Sequence, residues 1–121
     1  MTVKINFRFP TYLDAMHDSD RVMGLIRHSV VGKSCDPSVT VYERDDKEGG
    51  FGWFLKCGPV SVSCRSITRY TVAYHTPTAS GQHSVEFDTT TAEEGLEELR
   101  AHLETLLERA RLALAIIAGP Q

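Results

Sequence analysis

Hydrophobic and polar residues recur along this chain at two periods, and the switches between them mark its elements. Val3, Ile5, Phe7 and Phe9 alternate with Lys4, Asn6 and Arg8, the period of two that gives a strand one wet and one dry face. Pro10 stops that strand. Thr11, with Asp14 three residues on, has the form of a helix start, and Ala15, Met16, Val22, Met23 and Ile26 follow at near-helical spacing. Ser19 and Asp20 either interrupt this helix or lie on its exposed side. Residues 32–37 read as a loop.

The period of two returns at Val39. Strands are predicted over 39–44 and 51–57, with a polar turn between them, and Gly58-Pro59 then leads into a strand over 60–65. A two-residue loop there sets Cys57 opposite Val60, Leu55 opposite Val62 and Trp53 opposite Cys64. All six side chains share a face, and a slip of one residue would scatter them to both sides. Residues 67–76 continue as strand, with Tyr70, Val72 and Tyr74 on one face and Thr71, Ala73 and His75 on the other. A turn over 77–82 and a last strand over 83–89, with Val85 and Phe87 inward, complete the series.

The closing segment switches back to helical spacing. Thr91 and Glu94 form a capping box, in which the Thr91 hydroxyl accepts from the Glu94 amide and the Glu94 side chain reaches back to the Thr91 amide. Leu96, Leu99, Leu103, Leu106, Ala110, Ala113 and Ile117 then recur every three or four residues as a buried stripe, until Gly119-Pro120 ends the helix. Residues 112–118 break that pattern, because apolar side chains point in every direction and one supporting surface cannot cover them. A second copy of the chain is the first candidate for the missing cover, and a partner protein the next. Leu107, Leu114, Ile116 and Ile117 are the predicted interface residues.

The order strand, helix, four or five antiparallel strands, helix predicts an α+β fold with one sheet and both helices packed on one face. A length of 121 residues with 41% hydrophobic residues suits one domain over residues 1–121. No basic start joins an apolar leader, and the C-terminal apolar run is far shorter than the ~20 residues of a membrane span. A soluble cytoplasmic protein with no membrane partner is expected.

Charge is unevenly spread. Residues 1–70 carry a net +2 and residues 71–121 a net −5, together the −3 of the whole chain. That acidic second part argues against broad nucleic-acid binding, which needs a basic face to displace phosphate counterions. Cys35, Cys57 and Cys64 are an odd number with no C-x-x-C pair, so neither a zinc ribbon nor a disulfide scaffold is expected, and reduced thiols are.

Candidate chemistry is sparse. His75 and His83 are placed to face each other across a hairpin, but only Glu86 and Asp88 lie near them as further ligands, and neither a metal nor a cofactor is expected. Cys35 follows Lys33 in a loop, where a nearby cation can lower a thiol pKa, yet no base accompanies it and no catalytic residue is assigned. Residues 48–52 hold three glycines without the Lys-Ser/Thr of a P-loop. Phe51, Trp53 and Phe54 cannot all lie on one strand face, so Gly49, Gly50, Phe51 and Phe54 are the predicted contacts for a protein partner. Ser61, Ser63, Arg65, Arg69 and Thr71 with Lys56 are placed to line one sheet face, and Arg65, Arg69, Tyr70 and Tyr74 are the predicted contacts for a small anionic ligand.

These readings converge on a non-catalytic binding protein, a homodimer through its closing helix, acting stoichiometrically on a partner macromolecule. In gross organisation it is similar to small inhibitors and adaptors, including those phages use against host defences, without sharing a motif with them. The alternatives are a protein that binds or sequesters a nucleotide or other anion, and a virion or assembly component. An enzyme comes third, after the binding protein and the anion binder, since neither paired carboxylates nor an activated nucleophile can be placed.

Overall fold

Threonines start both helices. Helix α1, Tyr12–Arg27, opens behind Thr11, whose Oγ1 accepts from the Asp14 amide at 3.1 Å and donates to the Asp14 carboxylate at 2.8 Å. Helix α2, Ala92–Ala118, opens behind Thr91, whose Oγ1 accepts from the Glu94 amide at 3.1 Å. The Glu94 carboxylate accepts from the hydroxyls of Thr90 and Thr91, where the capping-box reading has it reaching the Thr91 amide. Each cap satisfies an amide that the first turn leaves without an intrahelical partner, while Asp14, Glu93 and Glu94 set negative charge against the positive end of the macrodipole. Ser19 does not break α1, because its hydroxyl donates to the Met16 carbonyl at 2.8 Å and is buried there.

The computed structural model describes residues 9–27, 37–44, 49–66 and 69–119, with Arg65 and Ser66 by their backbone alone. The strand expected over 3–9 lies outside these except for Phe9, which forms an antiparallel bridge to Phe51. Between the helices run β1 (Ser38–Glu43), β2 (Phe51–Cys57), β3 (Val60–Ser66), β4 (Arg69–Thr78) and β5 (Gly81–Thr89). They pair antiparallel in chain order, β1-β2-β3-β4-β5. This is the α+β fold that the pattern predicts.

Register and polarity agree across the sheet. Leu55 lies opposite Val62, Cys57 opposite Val60 and Trp53 opposite Cys64, and β4 extends these rows with Val72, Tyr74 and Tyr70. Trp53, Leu55, Val62, Cys64 and Val72 are inaccessible to solvent. Each apolar side chain so buried contributes about 1.5–3 kcal/mol. Helix α1 lays Ala15, Ser19, Val22 and Ile26 on β1 and β2, while α2 lays Ala92, Gly95 and Leu99 on β4 and β5. Gly95 is there because nothing larger fits: a Cβ would meet Val72 Cγ2 at 2.6 Å and Thr89 Oγ1 at 3.0 Å.

The β4–β5 hairpin departs from expectation. Its strands run on to Thr78 and Gly81, leaving a turn at 79–80 instead of 77–82, and Pro77 pairs with Gln82 inside the ladder. Proline is tolerated because β3 begins opposite Tyr74 and the His75 amide already reaches the Pro59 carbonyl. Beyond that point β4 has β5 on one side only, so the missing N–H interrupts no central ladder.

Candidate functional site

The sheet ends before α2 does. Within α2 only Ala92, Gly95 and Leu99 are buried, Leu96, His102 and Leu103 are half-buried, and every residue over 104–118 is exposed. At ~1.5 Å per residue this exposed half is roughly 22 Å long. Leu106, Leu107, Leu112, Leu114, Ile116 and Ile117 stand 41%, 53%, 58%, 65%, 80% and 80% exposed along it. The expected buried stripe therefore holds only as far as Leu103: the spacing is helical, but Leu106, Ala110, Ala113 and Ile117 have no sheet beneath them. Helical geometry gathers Leu103, Leu107, Ala110, Leu114 and Ile117 on one side, with Leu112 and Ile116 on the other. Contiguous apolar surface of this kind marks an association site.

A second surface is the sheet face opposite the helices. One row across it reads Thr40, Phe54, Ser63, Thr71, Asp88, and the next Ser38, Lys56, Ser61, Ala73, Glu86. Phe54 is 40% exposed and emerges opposite the core, as the crowding of aromatics on β2 requires. Phe51 does not join it. Its ring meets Tyr12 of α1 edge-on at 6.2 Å between centroids, on the helix side of the sheet. Gly49 and Gly50, with φ of 70° and 81°, lead the chain into β2 in a conformation that favours glycine.

At one end of this face Ser61 Oγ lies 2.9 Å from His75 Nε2, and His75 Nδ1 lies 2.7 Å from Ser84 Oγ and 3.0 Å from Gln82 Nε2. Serine beside histidine is the arrangement that activates a nucleophile. Here Ser61 is buried and sits mid-strand, where β2 and β4 flank β3 and the ladder engages the backbone amides that would have to serve an oxyanion. The group fastens β3, β4 and β5 together. His83, expected to face His75, pairs with Thr76 while His75 pairs with Ser84, so strand alternation sets the two histidines on opposite faces. Among the described residues no cluster of three or more His, Cys, Asp or Glu is placed to hold a metal ion.

The residues predicted to hold an anion are divided between the two faces. Arg69 and Lys56 are exposed on the face opposite the helices, with Ser63 and Thr71 half-buried and Ser61 buried on it. The side chain of Arg65 lies outside the described set. Tyr70 and Tyr74 point towards the helices, in rows with Cys64 and Val60. Glu86 and Asp88 add negative charge to the same face, and Asp88 accepts from the Thr71 hydroxyl at 2.6 Å.

Tyr70 belongs to a network absent from the sequence reading. The Asp18 carboxylate accepts from Trp53 Nε1 at 3.1 Å, Tyr70 OH at 2.9 Å and Arg21 Nε at 3.3 Å, and Arg21 also pairs with Glu93 of α2. Burial, with Cys64 and the Asp18 carboxylate close by, pushes the Tyr70 hydroxyl well above the usual tyrosine range. The signal for Asp18 was its place on α1, three residues from Ala15 and four from Val22, beside the buried stripe. The expectation of three reduced thiols fails at Cys57, which is disulfide-bonded, while Cys64 is free and buried. Cys35 lies outside the described residues. Among the described residues no helix is long and apolar enough to cross a membrane. No family model, curated protein or solved structure matches the chain.

Proposed function

We propose that the chain is a non-catalytic binding protein that pairs with a second copy of itself through residues 104–118 of α2 and offers the sheet face opposite its helices, with Phe54 upon it, to a macromolecular partner. The observation that carries this reading is the exposure of 41–80% at six large apolar side chains, on a helix half that leaves its own sheet. Exposed leucines and isoleucines in such a run are costly in water and are removed from it by association. Pairing through a two-fold axis is the simplest closed arrangement, because each copy brings the same surface. The inhibitor or adaptor reading rests on the second surface, where the exposed Phe54 ring has Thr40 and Ser63 on either side and Lys56 next along its strand, with Arg69, Asp88 and Glu86 farther across the same face.

Light scattering over a micromolar concentration range tests the pairing. The wild type is expected at twice the chain mass, and Leu114→Glu with Ile117→Glu at the chain mass, with circular dichroism unfolding of the β-sheet unchanged. A wild type that stays at the chain mass throughout overturns the reading.

A further inference from the structure

Resting on that pairing, we infer that the two copies of α2 run antiparallel, with Glu104 of each beside Arg111 of the other. Leu103, Leu107, Ala110, Leu114 and Ile117 are separated by four, three, four and three residues, the heptad spacing that keeps one seam facing a partner helix. An antiparallel alignment that sets Leu103 against Leu114 of the second copy also sets Leu107 against Ala110 of the second copy, about a two-fold axis between residues 108 and 109. Large then meets small where the helices cross. Ile117 falls beside the methylene stem of Arg100 of the second copy. A parallel alignment would stack Leu107 on Leu107 and Ala110 on Ala110, alternating crowding with a gap.

Charge points the same way. The acidic residues of α2, Glu93 to Glu108, precede Arg109 and Arg111, and Arg100, the third arginine of the helix, is held by Glu97 and Glu104. Arg109 and Arg111 have no ion pair among the described residues, and the last turn carries no base. Glu104 and Arg111 are seven residues apart, so they flank the seam on the same side, each one position after a seam residue. In the antiparallel register each Glu104, already paired with Arg100 of its own helix, also comes beside an Arg111 of the second copy, twice by symmetry. In a parallel pair neither charge meets its opposite. Opposed macrodipoles favour the antiparallel arrangement further.

Charge exchange followed by analytical ultracentrifugation tests the orientation. Glu104→Arg and Arg111→Glu, each alone, place like charges together at both symmetric contacts and are expected to weaken self-association about tenfold. The double variant is expected to return to within about twofold of wild type. Mixing the two single variants is expected to give mostly mixed dimers, resolved by native mass spectrometry with one copy isotopically labelled. A dimeric wild type in which the single variants associate as tightly as wild type, or in which the double variant is not restored, overturns the orientation and leaves the pairing standing. A wild type that never dimerises overturns both. The residues changed are exposed, and unaltered circular dichroism of each variant shows that folding is not the cause.

Discussion

Replacing Asp18 with alanine isolates the network that ties α1 to the sheet. The carboxylate accepts from Trp53 Nε1 and Tyr70 OH, on residues 0% and 3% exposed, so shortening Asp18 removes the acceptor that the protein supplies to both buried donors. A buried donor left without an acceptor costs about 1–3 kcal/mol. Two of them, less whatever a water entering the vacated space recovers, give a loss of about 2–4 kcal/mol. The partly exposed ion pair with Arg21 adds at most ~1 kcal/mol. For a chain of this length that is a fall in Tm of roughly 10 °C. Trp53 is the only tryptophan, so its fluorescence during urea unfolding reads stability at the network itself. Asp18→Asn keeps an acceptor oxygen and is expected to lose about half as much. If Asp18→Ala unfolds within about 0.5 kcal/mol of wild type, the hydrogen bonds drawn to Trp53 and Tyr70 do not hold the helix to the sheet.

Two further outcomes follow from the packing and the ionisation of single residues. Gly95→Ala is expected to destabilise by about 1 kcal/mol, because overpacking against Val72 at about 1–3 kcal/mol exceeds the helix-propensity gain of about 1 kcal/mol; in urea unfolding the loss should shrink when Val72→Ala is added, and a strictly additive double variant would refute the contact. Since the Tyr70 hydroxyl titrates above its unfolded value of about 10, the unfolded chain releases that proton first, so this stabilisation is complete below pH 10 and declines as pH rises beyond it, by up to ~1.4 kcal/mol per pH unit. Tyr70→Phe is expected to abolish that part of the alkaline slope, and an unchanged slope would show that Tyr70 does not produce it.

How much of this was legible depended on whether a local rule or a remote boundary decided each feature. The β2–β3 register was readable because Gly58-Pro59 fixes a two-residue turn and only one pairing keeps Trp53, Leu55 and Cys57 with Val60, Val62 and Cys64. The helix starts were readable because Thr11 and Thr91 carry their own caps. Pro77 misled because its effect turns on whether β3 reaches alongside it, a matter of strand length elsewhere. Leu106 and Ala110 misled for the same reason: their spacing declares an apolar stripe, and only the width of the sheet says where its support stops. The split of Arg69 from Tyr70 was implicit in strand alternation, since adjacent residues point to opposite faces. Asp18 was hidden because a lone carboxylate on a helix reads as solvated until Trp53 and Tyr70 are brought to it.

The division of α2 into a roofing part up to Leu103 and an exposed part over 104–118 gives one helix two independent sets of obligations. Substitutions in the first part disturb the subunit itself, whereas those in the second touch little of it, so either property can drift without dragging the other along. Beyond Leu103 the helix draws on leucine, alanine, glutamate and arginine, residues that favour helix unaided, and a stretch of that length is only marginally helical in water. Its order is therefore tied to its company: the jutting end is stiffest where something lies against it.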